Sequence, residues 1–212
     1  MKEKEVERLS AMAEFENSFY ARGYKVIAGV DEAGRGPLAG DVYAGAVIFK
    51  PGTIIEGLND SKKISPKKRD MLFEEIKEKS VSWSVGIATV AEIEELDILN
   101  ATFLAMRRAI EGLSVTPDFV MVDGNQHIRR LEIENEPVIK GDSLSMSIAA
   151  ASILAKVSRD RYICEVAEKY PQYEFEKHKG YGTKVHTDAL KKYGPCKIHR
   201  RTFLKKILGE DI

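Results

Sequence analysis

The sequence predicts an α/β protein in which a mixed sheet is flanked by helices and a helical, basic region follows at the C-terminus. Three strand-like segments at hairpin spacing come first, and later strands alternate with helices. The chain has 212 residues, zero formal net charge and 43% hydrophobic residues, which is typical of one globular domain.

The N-terminal half supplies two helices and three strands. Unbroken runs of small and β-branched apolar residues predict two strands, and the first run stops at Asp31. An alternating pattern predicts the third strand. Ser65 followed by Pro66 marks a helix start, with serine as the N-cap. The predicted elements are a helix over 3–20, strands over 24–30, 42–49 and 81–88, and a helix over 66–79.

The C-terminal half is mainly helical. Thr89 and Glu92 have the spacing of a capping box, which predicts a short helix. The almost wholly apolar segment before Asp123 predicts a strand that is buried on both faces. The remaining predictions are a helix over 99–111, strands over 118–122 and near 138–139, the longest helix over 143–170, a helix over 184–193 and a short helix after Arg201.

Charge is unevenly distributed along the neutral chain. Residues 1–155 carry 19 basic and 25 acidic side chains, whereas residues 156–206 carry 14 basic and 6 acidic ones. A basic block of this kind can follow a phosphate backbone, and a solvated lysine-rich surface is the alternative.

Several function classes are excluded or disfavoured by composition. No apolar stretch approaches the ~20 residues that span a bilayer, and the N-terminus lacks the apolar region of a secretory signal. Cys164 and Cys196 have no zinc or CxxC spacing and are expected to be reduced thiols. We therefore expect a cytoplasmic protein that does not contact a membrane.

Acidic residues at the ends of apolar strands are the most informative feature. Asp31 and Glu32 follow the first strand and Asp123 follows the fourth, so neighbouring strands would place them at one rim of the sheet. Carboxylates at that range repel unless a cation lies between them, and oxygen ligands favour Mg²⁺ or Mn²⁺. Asp31 and Glu32 could both reach a metal only if the strand breaks between them. Asp142, before the long helix, is either a further ligand or a helix cap.

Three weaker signals accompany the acids. The glycines of Gly34-Arg35-Gly36 permit close backbone approach to a ligand. Tyr181 lies between glycines in the basic block, where it could stack on a sugar or base or pack into a turn. A helical stripe suggests either metal ligands and phosphate contacts along one edge or a solvated face. Its members are Asp142, Ser145, Ser152, Lys156 and Arg159.

Six ordered blocks together resemble the ribonuclease HII family, the type 2 ribonucleases H. The resemblance covers nearly all of residues 24–204. The blocks are GVDEAGRGPLAG from Gly29, NDSKKIS from Asn59, FVMVDG from Phe119, KGDSLSMSIAAASILAKVSRDR from Lys140, HKGYGTKVH from His178 and GPCKIHRRTF from Gly194.

The resemblance implies a ribonuclease H-like fold and a role for each matching residue. It implies that the metal ligands are Asp31, Glu32, Asp123 and Asp142, and that Gly34, Arg35 and Gly36 read a ribose 2′-hydroxyl through their backbone. It further implies that Tyr181 stacks on the deoxyribose beside the junction and that Lys62 contacts a phosphate. Residues 1–23 would form an N-terminal helical extension, and residues 24–212 the catalytic domain with its basic C-terminal part.

The implied activity is an endonuclease that hydrolyses the RNA strand of RNA/DNA hybrids and cuts 5′ of single ribonucleotides in duplex DNA. Two Mg²⁺ or Mn²⁺ ions would activate water and stabilise the leaving 3′-oxygen, giving 5′-phosphate and 3′-hydroxyl ends. Removal of primers and misincorporated ribonucleotides in DNA replication and repair would follow. A monomer is expected and a sliding-clamp partner stays open. The alternatives are a non-catalytic nucleic-acid-binding module and a phosphohydrolase of small phosphate esters.

Overall fold

The computed structural model describes residues 3–209 as one five-stranded sheet surrounded by helices. Two short 3₁₀ turns cover Ser61–Lys63 and Pro171–Tyr173. The strands are β1 (Ile27–Ala33), β2 (Val42–Ile48), β3 (Ser82–Ala88), β4 (Phe119–Asp123) and β5 (Asn135–Val138). The helices are α1 (Glu3–Ala21), α2 (Pro66–Lys79), α3 (Val90–Leu96), α4 (Ile98–Glu111), α5 (Gly141–Leu144), α6 (Met146–Lys169), α7 (Phe175–His178), α8 (Lys184–Tyr193) and α9 (Arg201–Leu208).

The sheet is mixed, as the sequence predicts. Its strand order is β3-β2-β1-β4-β5, with β1 antiparallel to β2 and parallel to β4. Helix α4 covers one face, and α6 covers the other. A Cβ atom on Gly45 of β2 would lie 2.3 Å from the backbone oxygen of Ala151, so only glycine allows α6 to pack this closely. The sheet is therefore buried on both faces around its central strands.

Most predicted elements are present with small shifts at their ends. The capping box is formed, because Thr89 accepts a hydrogen bond from the Glu92 N–H and the Glu92 side chain accepts one from Thr89. Helix α2 begins at Pro66, and α8 spans the predicted residues. The C-terminal helices pack around Tyr173 and Phe175, which confirms the helical C-terminal region.

Two predictions about element ends are wrong. Strand β1 does not stop at Asp31, because Asp31, Glu32 and Ala33 continue the ladder with β2. The helix predicted over 143–170 is divided at Ser145, whose backbone is extended (φ −119°, ψ 133°). The Ser145 side chain accepts a hydrogen bond from the Ile148 N–H, so it caps α6 instead of continuing α5.

Within residues 3–209, no helix combines the length and the apolar composition needed to cross a membrane.

Candidate active site

The parallel pairing of β1 with β4 brings the predicted carboxylates together. Val30 pairs with Val122, so Asp31 and Asp123 follow at the next position of two neighbouring strands. Asp123 is the last residue of β4, and β1 ends two residues after Asp31. Both acids therefore lie at one rim of the sheet, as expected from the strand ends.

Asp31 and Glu32 lie on opposite faces of an unbroken strand. The strand does not break between them, because both residues keep regular pairing with β2. Asp31 is 6% exposed and is hydrogen-bonded by Ser152 of α6, whereas Glu32 accepts a hydrogen bond from Arg35 at 3.4 Å. The charge of Glu32 raises the pKa of Asp31, so the two carboxylates interact although the strand is continuous.

Asp142 reaches the rim from the one-turn helix α5. Its backbone N–H donates to Asp123 Oδ1 at 3.3 Å, which joins the start of α5 to the end of β4. Because α5 and α6 are separate helices, Asp142 does not belong to the helical stripe that the sequence suggests. The tertiary fold, and not helical periodicity, places this acid.

The charges of the four carboxylates oppose one another. Burial raises the pKa of Asp31 well above its usual value, and the charges of Glu32 and Asp123 raise it further. Burial also raises the pKa of Glu32 and of Asp123, and the charge of Asp142 adds to the shift of Asp123. The charge of Lys62 partly offsets the shifts of Glu32 and Asp123. A bound cation would lower this repulsion.

The donor set fits a hard divalent cation. All four acids offer carboxylate oxygens, and neither histidine nor cysteine accompanies them, which favours Mg²⁺ or Mn²⁺ over zinc. Among residues 3–209, no three His, Cys, Asp or Glu side chains already enclose a metal position. Mutual repulsion opposes that closer arrangement when the carboxylates are ionised and no cation is bound.

The glycine loop, residues 34–41 between β1 and β2, is held from its inner side by two buried arginines. Arg200 is fully buried and donates five hydrogen bonds to the carbonyl oxygens of the loop. Arg159 donates to the carbonyls of Ala39, Asp41 and Lys179. The acceptors of Arg200 are the carbonyls of Gly34, Arg35, Pro37 and Gly40, the last of which accepts two bonds.

The polar stripe predicted on the long helix is not a solvated face. Ser145, Ser152 and Arg159 are all buried. Ser152 shares a hydrogen bond with Ser61 at 3.0 Å, which joins α6 to the turn that carries Lys62. Arg159 is engaged with backbone carbonyls, so the suggestion that it contacts phosphate is wrong. Lys156 forms an ion pair with Asp160.

Tyr181 faces the glycine loop from the C-terminal region. Its side chain is 45% exposed, and its Cε1 atom lies 3.6 Å from the position that a Cβ of Gly36 would take. Gly180 accepts a hydrogen bond from the Leu38 N–H at 2.9 Å, which ties the two loops together. A partly exposed aromatic ring thus lies beside the glycine loop, whereas a fully packed turn would have buried it.

Sequence reasoning did not identify the residues that support the site from behind. Arg200 and Ser61 do so through contacts between distant segments. The block that contains Arg200 was part of the family resemblance, but it has no local spacing that indicates a role for that arginine. Only the tertiary structure shows which carbonyls it holds.

The fold and the carboxylate rim define the class of ribonuclease H-like metal-dependent nucleases. The model of the family "Ribonuclease HII" matches residues 28–206. A "Ribonuclease HII" of Caldicellulosiruptor bescii is 58% identical over 196 residues, which cover 92% of this chain and 95% of the relative. This chain belongs to the ribonuclease HII family.

Solved structures agree with this assignment at the level of the fold. Ribonuclease H2 from Pyrococcus horikoshii OT3 is 28% identical, with a TM-score of 0.73 over 87% of this chain and 97% of that one. The ribonuclease HII in the PCNA complex from Archaeoglobus fulgidus is 24% identical, with a TM-score of 0.66 over 83% and 94%. At this low identity, the similarity to the Archaeoglobus fulgidus protein is evidence for the fold alone.

Family membership establishes the general activity. The chain is a hydrolase with the endonuclease activity of a ribonuclease H, acts on RNA/DNA substrates and depends on a divalent metal. This result favours the nuclease over both alternatives from the sequence, the non-catalytic binding module and the phosphohydrolase of small esters.

Proposed function

We propose that this enzyme cuts the RNA strand of hybrids and the 5′ side of single ribonucleotides in duplex DNA, leaving 5′-phosphate and 3′-hydroxyl ends. The observation that carries the proposal is the position of Tyr181, whose ring lies against Gly36 at the edge of the acidic rim. This contact supports a site in which a ribose-reading loop and a stacking ring act together. Removal of primers and misincorporated ribonucleotides is the corresponding cellular role.

The acids are the proposed cation ligands. Asp31, Glu32, Asp123 and Asp142 would hold two Mg²⁺ or Mn²⁺ ions, which supply water activation and stabilisation of the leaving 3′-oxygen. Lys62 lies close enough for its charge to lower the pKa of Glu32 and Asp123, and we assign it to a neighbouring phosphate. The positive charge of Lys62 would offset the negative charge of the phosphate backbone of the substrate.

The glycine loop is suited to reading a 2′-hydroxyl. The carbonyls of Gly34 and Arg35 accept hydrogen bonds from Arg200 on the inner side of the loop. Within residues 3–209, the N–H groups of Arg35 and Gly36 have no protein acceptor. Backbone donors held in place by fixed carbonyls can bind the ribose hydroxyl, which is absent from DNA. This arrangement supports the role assigned to Gly34, Arg35 and Gly36.

The organisation beyond the site is also part of the proposal. Residues 1–23 form the N-terminal extension, and residues 24–212 form the catalytic domain with its basic helical part. A monomer in the cytoplasm is the expected form. A sliding-clamp contact stays a prediction for this chain, since the solved clamp complex belongs to the Archaeoglobus fulgidus protein.

The test is cleavage of a labelled DNA duplex that contains one ribonucleotide, with Mn²⁺, Mg²⁺ or a chelator. We expect a metal-dependent cut on the 5′ side of the ribonucleotide, mapped at single-nucleotide resolution. Tyr181→Ala should lower the ratio of junction cleavage to all-RNA-strand cleavage about tenfold, because base or sugar stacking is worth about 1–3 kcal/mol. An unchanged ratio would remove Tyr181 from the role of junction sensor. A mononucleotide that competes as well as the duplex would instead favour a small-ester substrate.

A further inference from the structure

Three of the four histidines lie together beneath the loop that carries Tyr181. His178, His186 and His199 are buried against the rings of Tyr173 and Phe175. The rings of His178 and His186 stack with centroids 4.6 Å apart. The activity described above uses none of these imidazoles, although His186 directly contacts the backbone of Tyr181.

The hydrogen bonds determine which nitrogen of each ring carries a proton. Cys196 donates its backbone N–H to His199 Nδ1 at 2.9 Å, so the proton of His199 is on Nε2. His199 Nε2 lies 3.0 Å from His186 Nε2 and therefore donates to it. The proton of His186 is then on Nδ1, which donates to the Tyr181 carbonyl at 3.0 Å.

The hydrogen bonds of His178 determine the position of its proton in the same way. His178 Nδ1 accepts from the Gly180 N–H at 3.3 Å, and its Nε2 donates to the Tyr173 carbonyl at 2.8 Å. All three rings are therefore neutral. A second proton on His186 or His199 would set two donors against each other.

The chain of bonds connects the two parts of the proposed ribonucleotide reader. His199 forms a β-bridge with Ala39 of the glycine loop and immediately precedes Arg200, which holds that loop. At the other end, His186 holds the carbonyl of Tyr181. The bond between His186 and His199 is thus a side-chain link between the segment behind the glycine loop and the stacking residue, in addition to the bonds that Arg159 makes to Ala39 and Lys179.

We propose that His186 and His199 are positioning residues which set Tyr181 against the glycine loop and thereby determine the preference for an RNA–DNA junction over a continuous hybrid. The inference rests on the proposed role of Tyr181. It does not require either histidine to touch the substrate or a metal.

A matched pair of variants tests the proposal. An asparagine amide can take the place of Nδ1 and a glutamine amide the place of Nε2, so His186→Asn keeps the donor to Tyr181 and His186→Gln does not. We expect His186→Gln to lower the junction-to-hybrid ratio of kcat/KM about fivefold, the worth of one hydrogen bond. His186→Asn keeps this donor but loses the acceptor for His199, so it should lower the ratio less, by about twofold. Equal ratios for the two variants would overturn the proposal.

Tyr181→Ala separates this inference from the proposed function. If Tyr181→Ala leaves the ratio unchanged, the assigned role of Tyr181 fails. If Tyr181→Ala lowers the ratio and His186→Gln does not, only the histidine proposal fails.

His199→Asn provides a second test, because asparagine still accepts the hydrogen bond from Cys196 but loses the donor to His186. It should lower the ratio as His186→Asn does, by about twofold, and an unchanged ratio would contradict the link.

Nitrogen NMR of the unmodified protein tests the same network without any substitution. We expect the Nδ1–H tautomer for His186 and the Nε2–H tautomer for His178 and His199 at neutral pH. An Nε2–H tautomer of His186 would break the connection to Tyr181 and overturn the proposal.

Discussion

The ionised form of Asp31 is electrostatically unfavourable at this site. It is buried, it lies close to the charges of Glu32 and Asp123, and its pKa is raised well above the usual value of an aspartate. Hydrogen bonds from Ser152 and from the Glu32 N–H offset only part of this cost. Such a residue lowers stability when ionised, which supports the proposal that Asp31 binds a cation.

The first prediction concerns Asp31→Asn. The change removes a negative charge from the acidic rim, so activity should fall by more than about 100-fold while the melting temperature stays level or rises by about 2–4 °C. A cleavage assay beside thermal melting measures both effects. Asp188→Asn, which removes an exposed acid paired with Lys184, is the control and should keep full activity. Full turnover in Asp31→Asn would contradict the assignment.

The second prediction concerns Arg200→Lys. Lysine keeps the charge but cannot reproduce the planar fork, so carbonyls of the glycine loop would lose donors inside the protein. We expect a loss of about 3 kcal/mol in the free energy of unfolding, measured by urea denaturation, and a raised KM for the ribonucleotide duplex. The neighbouring exposed Arg201→Lys should change neither value. Equal stability in the two variants would contradict the role of Arg200 in holding the glycine loop.

Residues at strand ends could be predicted from the sequence, and the buried supports could not. Asp31 and Asp123 follow apolar runs, so local pattern alone locates them at a rim. The roles of Arg200 and the histidines depend on segments more than a hundred residues apart or on loops that have no regular period. Local spacing carries no signal of such contacts.

At the scale of elements, helix α1 braces two segments of the site. Glu16 accepts hydrogen bonds from the Ser145 hydroxyl at 2.6 Å and the Ser147 N–H at 2.7 Å, at the start of α6. Arg8 donates to the Leu58 carbonyl at 2.7 Å, in the loop that leads to Lys62. The N-terminal helix therefore supports both the Asp142 turn and the Lys62 turn.

The third prediction tests this brace by substitution of Glu16. Glu16→Ala would leave the Ser145 hydroxyl and the Ser147 N–H without this acceptor, at a cost of about 2 kcal/mol in the free energy of unfolding. Glu16→Gln should retain most of the stability, because burial raises the pKa of Glu16 and a neutral acceptor replaces it well. Urea denaturation measures the difference. The exposed Glu14→Ala is the control on the same helix, and a loss equal to that of Glu16→Ala would contradict the brace.

The same contact explains why the element prediction failed at Ser145. The residues around Ser145 are compatible with one continuous helix, and periodicity treats them so. Glu16 and the N-cap bond to Ile148 stabilise an interruption there instead. In β1, pairing with β2 carries the strand past the acid at which the apolar run ends. In both cases a tertiary partner decides where the element ends.

At the scale of the whole molecule, basic side chains converge on a cleft between α2 and α6. The cations that line it are Arg69 of α2, Lys156 and Arg161 of α6, and Lys177 and Lys179. The cleft also contains Asp70 and Asp160, which pair with some of these cations. The C-terminal excess of positive charge is therefore only partly available to phosphates.

The fourth prediction is a salt-dependent affinity for the duplex. Each phosphate contact releases counterions, so the logarithm of the binding constant should fall with the logarithm of salt by about 0.9 per contact. The double variant Lys177→Ala, Lys179→Ala should reduce this slope by about two, measured by fluorescence anisotropy with a chelator present. Lys4→Ala, which removes an exposed lysine of α1, should leave it unchanged. A flat salt dependence of the wild type would contradict phosphate binding by this block.

Stability should depend on pH through two opposing sets of buried groups. Burial lowers the pKa of His186 and of His199 to about 4, from 6.5, so the unfolded chain binds their protons first as pH falls. Their contribution is complete above pH 6.5 and is lost as pH falls towards 4. The raised pKa values of Asp31, Glu32 and Asp123 act in the opposite sense, since ionisation of these acids at higher pH destabilises the fold.

The fifth prediction isolates the histidine contribution from that of the acids. His186→Gln has no titrating group at this position, whereas the acids are common to both proteins and cancel in the difference. The stability advantage of the wild type over His186→Gln should shrink by about 2 kcal/mol between pH 8 and pH 5, as the unfolded histidine gains its proton. Urea denaturation at several pH values between these limits measures it. A difference that does not vary with pH would mean that His186 binds protons equally in the folded and unfolded chain, which contradicts its neutral, buried state.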